Sequence, residues 1–160
     1  MSAVKEALNE LLVNVFNYIT NIEELNLKNR GVSASMTEVH IIEAIDNTEE
    51  PIMTNVANKL LITVGTLTTA INSLVRKGYV ERVQSVDDRR KVFLKLTSRG
   101  RDVKRLHDEF HDDMIENTIR DLKIEEDSEL ITALENIQKY FRHKYEDRVD
   151  RLKNNKTDNK

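Results

Sequence analysis

The chain has no cysteine and no tryptophan, one proline (Pro51) and four glycines in 160 residues. Without cysteine there are no disulfides, no thiolate catalysis and no cysteine-ligated zinc, which fits a reducing compartment. So little Pro and Gly leaves few turns, which argues against an all-β architecture and for long helices. No apolar run approaches the ~18–20 residues that span a bilayer, and Lys5 and Glu6 stand where a signal peptide would be apolar. The expectation is a soluble, cytoplasmic chain with no membrane partner. Positive charge is also short overall, with 25 Lys and Arg against 28 Asp and Glu, a net charge of −3. Nucleic-acid binders usually carry a basic surplus, so the total counts against that class.

The distribution of charge reverses that reading. Residues 1–53 hold 3 basic and 9 acidic side chains, residues 54–106 hold 12 and 4, and residues 107–160 hold 10 and 15. Nearly half of the positive charge lies in the middle third, which describes a basic contact surface between acidic arms. With 39% hydrophobic residues the chain builds one core of ordinary domain size.

The apolar period predicts six helices and one hairpin. Val4, Leu8, Leu11, Val15, Ile19 and Ile22 recur every three or four positions, a helix running to about Lys28 and stopped by Gly31. A second helix starts near Thr37, capped by Ser35 or Thr37, and ends at Asp46–Asn47. A third covers roughly Thr54 to Leu61. Thr63 caps a fourth, whose buried stripe is Leu67, Ala70, Ile71 and Leu74 and whose end is set by Gly78. The period then drops to two over Tyr79–Gln84 and Lys91–Leu96, joined by polar residues 85–90, which makes a β-hairpin with a charged tip. Thr97 or Ser98 caps a fifth helix reaching about Leu122, residues 123–128 break it, and a sixth runs from about Asp127 to Leu152. Two short helices, a brief turn and a hairpin form a winged helix-turn-helix, whose second short helix enters the major groove. The fold class is therefore mainly α with a small β-hairpin wing. Residues 35–100 read as the DNA-binding unit, 153–160 as a disordered tail, and 1–34 and 101–152 as dimerisation helices, long and apolar on one stripe with little else in the chain to bury them.

On the helix after Thr63, the face opposite the apolar stripe carries Gly65, Thr66, Thr68, Thr69, Asn72, Ser73 and Arg76. Hydroxyl and amide groups there suit base edges and phosphates, and Thr methyls suit thymine methyls. Gly65 lets the backbone come close to DNA. At the wing, Arg89 and Arg90 suit the negative potential of a narrow minor groove, while Asp88 holds the loop by pairing with an Arg or accepting backbone N–H bonds. The DNA-binding candidates are thus Thr63, Thr66, Thr68, Thr69, Asn72, Arg76, Asp88, Arg89 and Arg90. The rival reading of these Thr and Ser is that of solvated cap and surface residues.

Asp88-x-Arg90, Val92 and Leu96-Thr97-x-x-Gly100, preceded by Leu74-x-x-Lys77-Gly78-Tyr79-Val80-x-Arg82, resemble the signature of MarR-type transcriptional regulators. The resemblance implies a homodimer built through the N- and C-terminal helices, with each winged unit reading half of a pseudo-palindromic operator in double-stranded DNA. Ile22-Glu23-Glu24-x-Asn26-Leu27, Glu38-x-His40, Thr63-Val64-Gly65-Thr66-Leu67-Thr68-Thr69 and Leu106-His107-x-x-Phe110-His111-x-x-Met114 are similar to the FabT-type repressors of fatty-acid biosynthesis within that family. That similarity implies acyl-acyl carrier protein as corepressor, which adds an effector role to the helices of residues 1–34 and 101–152, its chain entering an apolar cavity for which Phe16, Ile19, Ile41, Phe110 and Met114 are the candidates. Ordinary core is the rival reading of each. Arg101, Lys104 and Arg105 are candidate docking cations for that acidic partner, or serve DNA or solubility.

His107 and His111, four apart on one helical face, can chelate one ion, and His40 or Glu24 can complete a tetrahedral zinc site. Zinc-responsive MarR-type repressors are similar in using a Glu from the first helix, a His from the second and a His pair from the fifth. A buried His–Glu cluster without metal is the reading preferred here, so no cofactor and no metal are assigned, and His143 reads as solvated. Catalysis is not expected, because no Cys nucleophile, Gly-rich phosphate loop or HExxH sequence is present. Asp112–Asp113 and Glu125–Glu126–Asp127 read as solvated helix ends. A helical interaction protein with no regulatory role is the remote alternative.

Overall fold

A computed structural model describes residues 2–122 and 127–157, so the predicted break at 123–128 lies mostly outside the described residues, as does the end of the tail. The chain forms two compact units, Met1–Asp112 and Asp113–Lys160.

The first unit opens with α1 (Ala3–Glu10), a π-helical turn (Leu11–Val15) and α2 (Phe16–Asn29), together the single N-terminal helix the apolar period predicts. The π turn adds one residue to that turn and rotates the remainder by roughly 100°. A helical wheel drawn through the whole segment therefore loses phase. Ile22, on the predicted stripe, is exposed, whereas Glu23 and Leu27 are the buried residues of α2. The upstream stripe is exposed as well, with Val4 at 67% and Phe16 at 69% accessibility.

The winged unit follows as α3 (Met36–Asp46), α4 (Met53–Leu60), α5 (Val64–Arg76), β1 (Val80–Gln84) and β2 (Val92–Leu96). Ser35 caps α3 in a reciprocal box: its hydroxyl accepts from the Glu38 N–H while the Glu38 carboxylate accepts from the Ser35 N–H (2.8 Å). The turn between α4 and α5 passes through Leu61 in the left-handed region (φ 59°), an unusual place for a branched side chain. Gly78 takes the same conformation after α5 at no steric cost (φ 76°), and Tyr79 N–H then bonds Leu74 C=O (2.9 Å) to close the helix. The strands pair antiparallel from Val80↔Leu96 to Gln84↔Val92, and Pro51 C=O accepts from Leu94 N–H (2.8 Å), tying the α3–α4 connection to β2.

One core joins these pieces. Ile42, Val56, Leu67, Ile71, Leu74 and Leu94 are all fully buried. The apolar stripe of α5 is thus its structural face, and the remaining face is available to solvent.

The fifth predicted helix is α6 (Ser98–Leu122), and the last is α7 (Ser128–Thr157). With α1, the π turn and α2 taken as one, the six helices and the hairpin of the sequence reading are present. The second unit comprises the end of α6 and α7, whose first turn is capped by the Asp127 carboxylate accepting from Glu129 and Leu130 N–H (3.1 and 3.0 Å). α7 continues past Leu152, the predicted end, to Thr157. The segment assigned to a disordered tail is helical that far, because Lys-Asn-Asn-Lys-Thr has neither Gly nor Pro and an established helix gains one hydrogen bond per residue added. Ile131, Leu134, Tyr140 and Phe141 of α7 are exposed.

Gly100 sits where the N-terminus of α6 crosses the end of the hairpin, and a Cβ there would collide with the Tyr79 carbonyl oxygen. That carbonyl accepts from Thr97 N–H (3.1 Å) and cannot swing away. Alanine in a helix gains about 1 kcal/mol over glycine, but forced overpacking costs about 1–3 kcal/mol. Gly100→Ala is expected to lower the melting temperature. Gly65→Ala, whose new Cβ would have 3.8 Å to its nearest neighbour, is expected to leave it unchanged or raise it. Paired thermal melts check the opposite signs.

Candidate nucleic-acid interface

Thr63 begins α5 by accepting the Thr66 N–H (3.1 Å), and the two hydroxyls lie 2.9 Å apart. Thr63 is exposed at the N-cap, Thr66, Thr69, Asn72 and Arg76 are exposed on the face turned away from Leu67, Ile71 and Leu74, and Thr68 and Ser73 are half-buried beside them. The Thr68 hydroxyl donates to Val64 C=O (2.7 Å), which leaves its oxygen an acceptor for any further partner. Asn72 has a partner the sequence reading missed: Arg82 Nη2 donates to its Oδ1 (2.8 Å). Arg82 pairs with Leu94 and so stands on the same face of the hairpin as Val80 and Leu96, the face that carries buried residues. An arginine at that strand position was the available signal.

The hairpin tip is a tight polar turn. Asp88 Oδ1 accepts the Arg90 N–H (3.0 Å), Asp88 C=O accepts the Lys91 N–H (2.9 Å), and Gln84 Nε2 donates to Arg89 C=O (2.7 Å). The acid therefore organises the loop through the backbone, one of the two roles expected for it. Arg89 and Arg90 project from the tip and are exposed. Lys91 reaches back to Glu50 of the α3–α4 connection (3.6 Å).

The C-terminal end of α5 is held from three sides. Lys77 Nζ donates to Glu38 Oε2 (2.6 Å) and to Ser33 C=O (3.1 Å). Tyr79, buried at 1%, accepts the Ser33 N–H on its hydroxyl (3.1 Å). Arg99 lies over the Tyr79 ring and donates to Lys77 C=O (2.9 Å). Burial by itself would raise the Glu38 pKa, but the hydrogen bonds from Lys77, from Ser35 N–H and from the Ser73 hydroxyl outweigh it and hold the carboxyl below its ordinary value. Tyr79 behaves alike: burial raises its pKa, and the Ser33 hydrogen bonds with the Arg99 and Lys77 charges bring it below its usual value.

A second cluster lies where α2, α3 and α6 meet. His107, 3% exposed, sets Nδ1 against the equally buried Glu23 carboxylate and turns Nε2 toward Glu43 (3.4 Å). His111 Nε2 is 3.5 Å from the same Glu23 oxygen. The His40 ring stands 5.8 Å from that of His107 at the edge of a cleft of about 410 Å³ also lined by Lys104, Asp108 and Asp112. The carboxylate in this cluster is Glu23 and not Glu24, which instead pairs with Lys28 on the surface (2.7 Å). Neighbouring helical residues point about 100° apart, and Glu23 shares the face of Leu27, four residues on, which is the signal that separates the two. Asp112, read as solvated, lines the cleft, while His143 is exposed as expected beside Asp147.

The effector candidates are dispersed. Ile41 is 2% exposed in the core of the winged unit, Phe16 is 69% exposed, Ile19 and Phe110 are half-buried, and Met114 belongs to the second unit, also half-buried. None of the five lines the histidine cleft. The three candidate docking cations are engaged within the chain. Arg101 donates to Leu96 C=O (2.7 Å), Lys104 bonds Asp108, which raises its pKa, and Arg105 pairs with Glu109 (2.6 Å).

Residues 34–92 match the MarR family. The chain is 37% identical to Streptococcus pneumoniae FabT, whose crystal structure is in complex with DNA, over 89% of its own length and 98% of that chain, with a TM-score of 0.73. It is 28% identical over 101 residues to the HTH-type transcriptional regulator SarZ of Staphylococcus haemolyticus, 63% of this chain and 67% of SarZ. It is 29% identical over 77 residues to the HTH-type transcriptional regulator YhjH of Bacillus subtilis, where the match covers 48% of this chain but only 44% of the relative.

A folded-state pKa below the unfolded one means that Glu38 contributes stability above its ordinary value of 4.5 and loses it as the pH falls through the lowered folded value. Wild type is therefore expected to lose stability more steeply than Glu38→Gln on acidification below about pH 5, as read from urea midpoints across that range. At the wing, charge alone says that removing Asp88 should favour DNA. Removing it also leaves the Arg90 N–H without its acceptor, a loss of about 1 kcal/mol of tip order. Asp88→Ala is expected to bind operator DNA more weakly than wild type, measured by fluorescence anisotropy.

Proposed function

This chain belongs to the MarR family of transcriptional regulators, and from that premise we propose that it is a homodimeric, sequence-specific repressor of fatty-acid biosynthesis genes that uses acyl-acyl carrier protein as corepressor. The observation that carries the proposal is the 37% identity sustained over 98% of the DNA-bound FabT chain. The local chemistry is consistent with it. A helix with Thr66, Thr68, Thr69, Asn72 and Arg76 on its open face enters the major groove, Thr63 sets its N-terminus, and Arg89 and Arg90 reach the minor groove from a tip that Asp88 organises. Dimerisation is supported by the apolar side chains that single units leave exposed on α1, the π turn, α2 and α7. Each subunit then supplies one winged unit to half of a pseudo-palindrome. Such a repressor works in the cytoplasm beside the chromosome and is no enzyme. Among the described residues no helix is long and apolar enough to cross a membrane.

The acyl chain is proposed to enter between helices, with Phe16, Ile19 and Phe110 of the first unit as its candidate lining and Met114 a candidate within the second. Ile41 is already committed to the winged core. A carrier protein that docks on Arg101, Lys104 and Arg105 exchanges their present pairings, of which that of Arg105 with Glu109 is solvent-exposed and weak.

One observation favours a second reading. Glu23, His107 and His111 bring one ligand atom each within 4.8 Å of one another, and two imidazoles with a carboxylate form a donor set suited to zinc. In that reading the protein represses metal-uptake genes, with His40 and Glu43, which line the same cleft, as candidates for a further donor.

The two readings part in one titration. Metal-free protein is measured on promoter DNA of fatty-acid synthesis genes alone, with long-chain acyl-acyl carrier protein, and with zinc. Tightening by the acylated carrier and not by zinc is expected. Tightening by zinc that His107→Ala abolishes would establish the second reading in its place. In the same assay Arg90→Ala is expected to lower the slope of log affinity against log salt by about 0.9, the share of one phosphate-type contact.

A further inference from the structure

We infer that Arg82 is a positioning residue for base readout, holding the Asn72 carboxamide so that Asn72 meets a base as a hydrogen-bond donor. This rests on the placement of α5 in the major groove proposed above.

A guanidinium carries five N–H donors and no acceptor, so only the oxygen of an amide can face it. The contact from Arg82 Nη2 to Asn72 Oδ1 (2.8 Å) therefore fixes which end of the amide points toward the hairpin and which points away. Nδ2, with two hydrogens, is left to the outer face of α5. The terminal torsion of asparagine is broad and two-fold, so without such a partner the amide turns freely and presents either atom. Arg82 is itself constrained. It leaves β1 on the side of Val80, Leu94 and Leu96, so its stem lies along the inner face of the hairpin while its head reaches solvent beside α5.

The major-groove edges convert that orientation into a preference. Adenine offers N7, guanine N7 and O6, and thymine O4 as acceptors, whereas cytosine offers only its amino donor. A donating Asn72 accepts the first three and rejects cytosine at the base it contacts. Thr68, one turn earlier, has its hydroxyl hydrogen on Val64 C=O and faces DNA as an acceptor. The outer face of α5 is thereby divided into an accepting part toward its N-terminus and a donating part at Asn72 and Arg76. A merely structural Arg82, stitching hairpin to helix, would affect stability and affinity for all sequences alike.

The test uses the full-length protein and promoter duplexes carrying each of the four bases at every operator position, with relative affinities read by competition. Wild type is expected to disfavour cytosine at one position per half-site, a position that Asn72→Ala flattens. Arg82→Gln can offer Asn72 either a nitrogen or an oxygen, and it is expected to lose roughly tenfold of the discrimination there. Arg82→Lys remains donor-only and is expected to keep it. Thermal melts of both variants separate folding from readout. If Asn72→Ala flattens one position while Arg82→Gln leaves that position as sharp as in wild type, or weakens all bases equally, the inference is overturned and the placement of α5 stands. If Asn72→Ala flattens no position, the placement itself fails and the inference with it.

Discussion

The presentation of α5 depends on how its C-terminal end is clamped. Lys77 is the centre of that clamp, one ammonium shared between the Glu38 carboxylate and the Ser33 carbonyl, followed at once by the left-handed turn at Gly78 and the buried ring of Tyr79. A carboxylate as buried as Glu38 is costly unless it is compensated. Removing the partner of a fully buried pair costs about 3–5 kcal/mol, and less here because the Lys77 side chain keeps 30% of its accessibility. What the pair secures is direction. It joins the N-terminal turn of α3 to the end of α5, so the outer face of α5 has a fixed bearing on the helix packed beneath it.

That bearing gives the charge distribution its meaning. The net charge of −3 is the sum of two acidic arms and a basic middle segment holding α5, the hairpin and the start of α6. Within the basic segment the cations differ in availability. Lys77, Arg82, Arg99, Arg101, Lys104 and Arg105 are engaged with partners in the chain, while Arg89 and Arg90 stand exposed at the hairpin tip. Counting charge locates the surface, and hydrogen-bond partners decide which charges can meet phosphate.

The two buried polar sites follow one rule with different outcomes. A buried polar group needs partners. Glu38 finds Lys77 and two local donors and becomes part of the scaffold. Glu23 finds two imidazoles from α6 beside an open cleft, so the same need assembles a set of groups able to hold an ion or a proton.

Much of this architecture was legible in the residues themselves because its causes are local. Period 3.6 marked the helices, Ser35 and Thr63 their starts, Gly31 and Gly78 two of their ends, and period 2 the hairpin. Capping and side-chain alternation act within a few residues, so they identify α5 and its outer face before any packing is known. Tertiary structure decided which neighbours meet. The π turn at Leu11–Val15 changed the phase between the two parts of the N-terminal helix, and the packing of α2 against α6 set Glu23 rather than Glu24 against His107. The partner of Asn72 came from a strand ten residues away, and the cations of α6 were taken up by Asp108, Glu109 and a backbone carbonyl. Periodicity tells how a helix divides into faces, but the partner of a given side chain depends on the rotation and crossing of whole elements, where a shift of one residue exchanges a buried carboxylate for an exposed one.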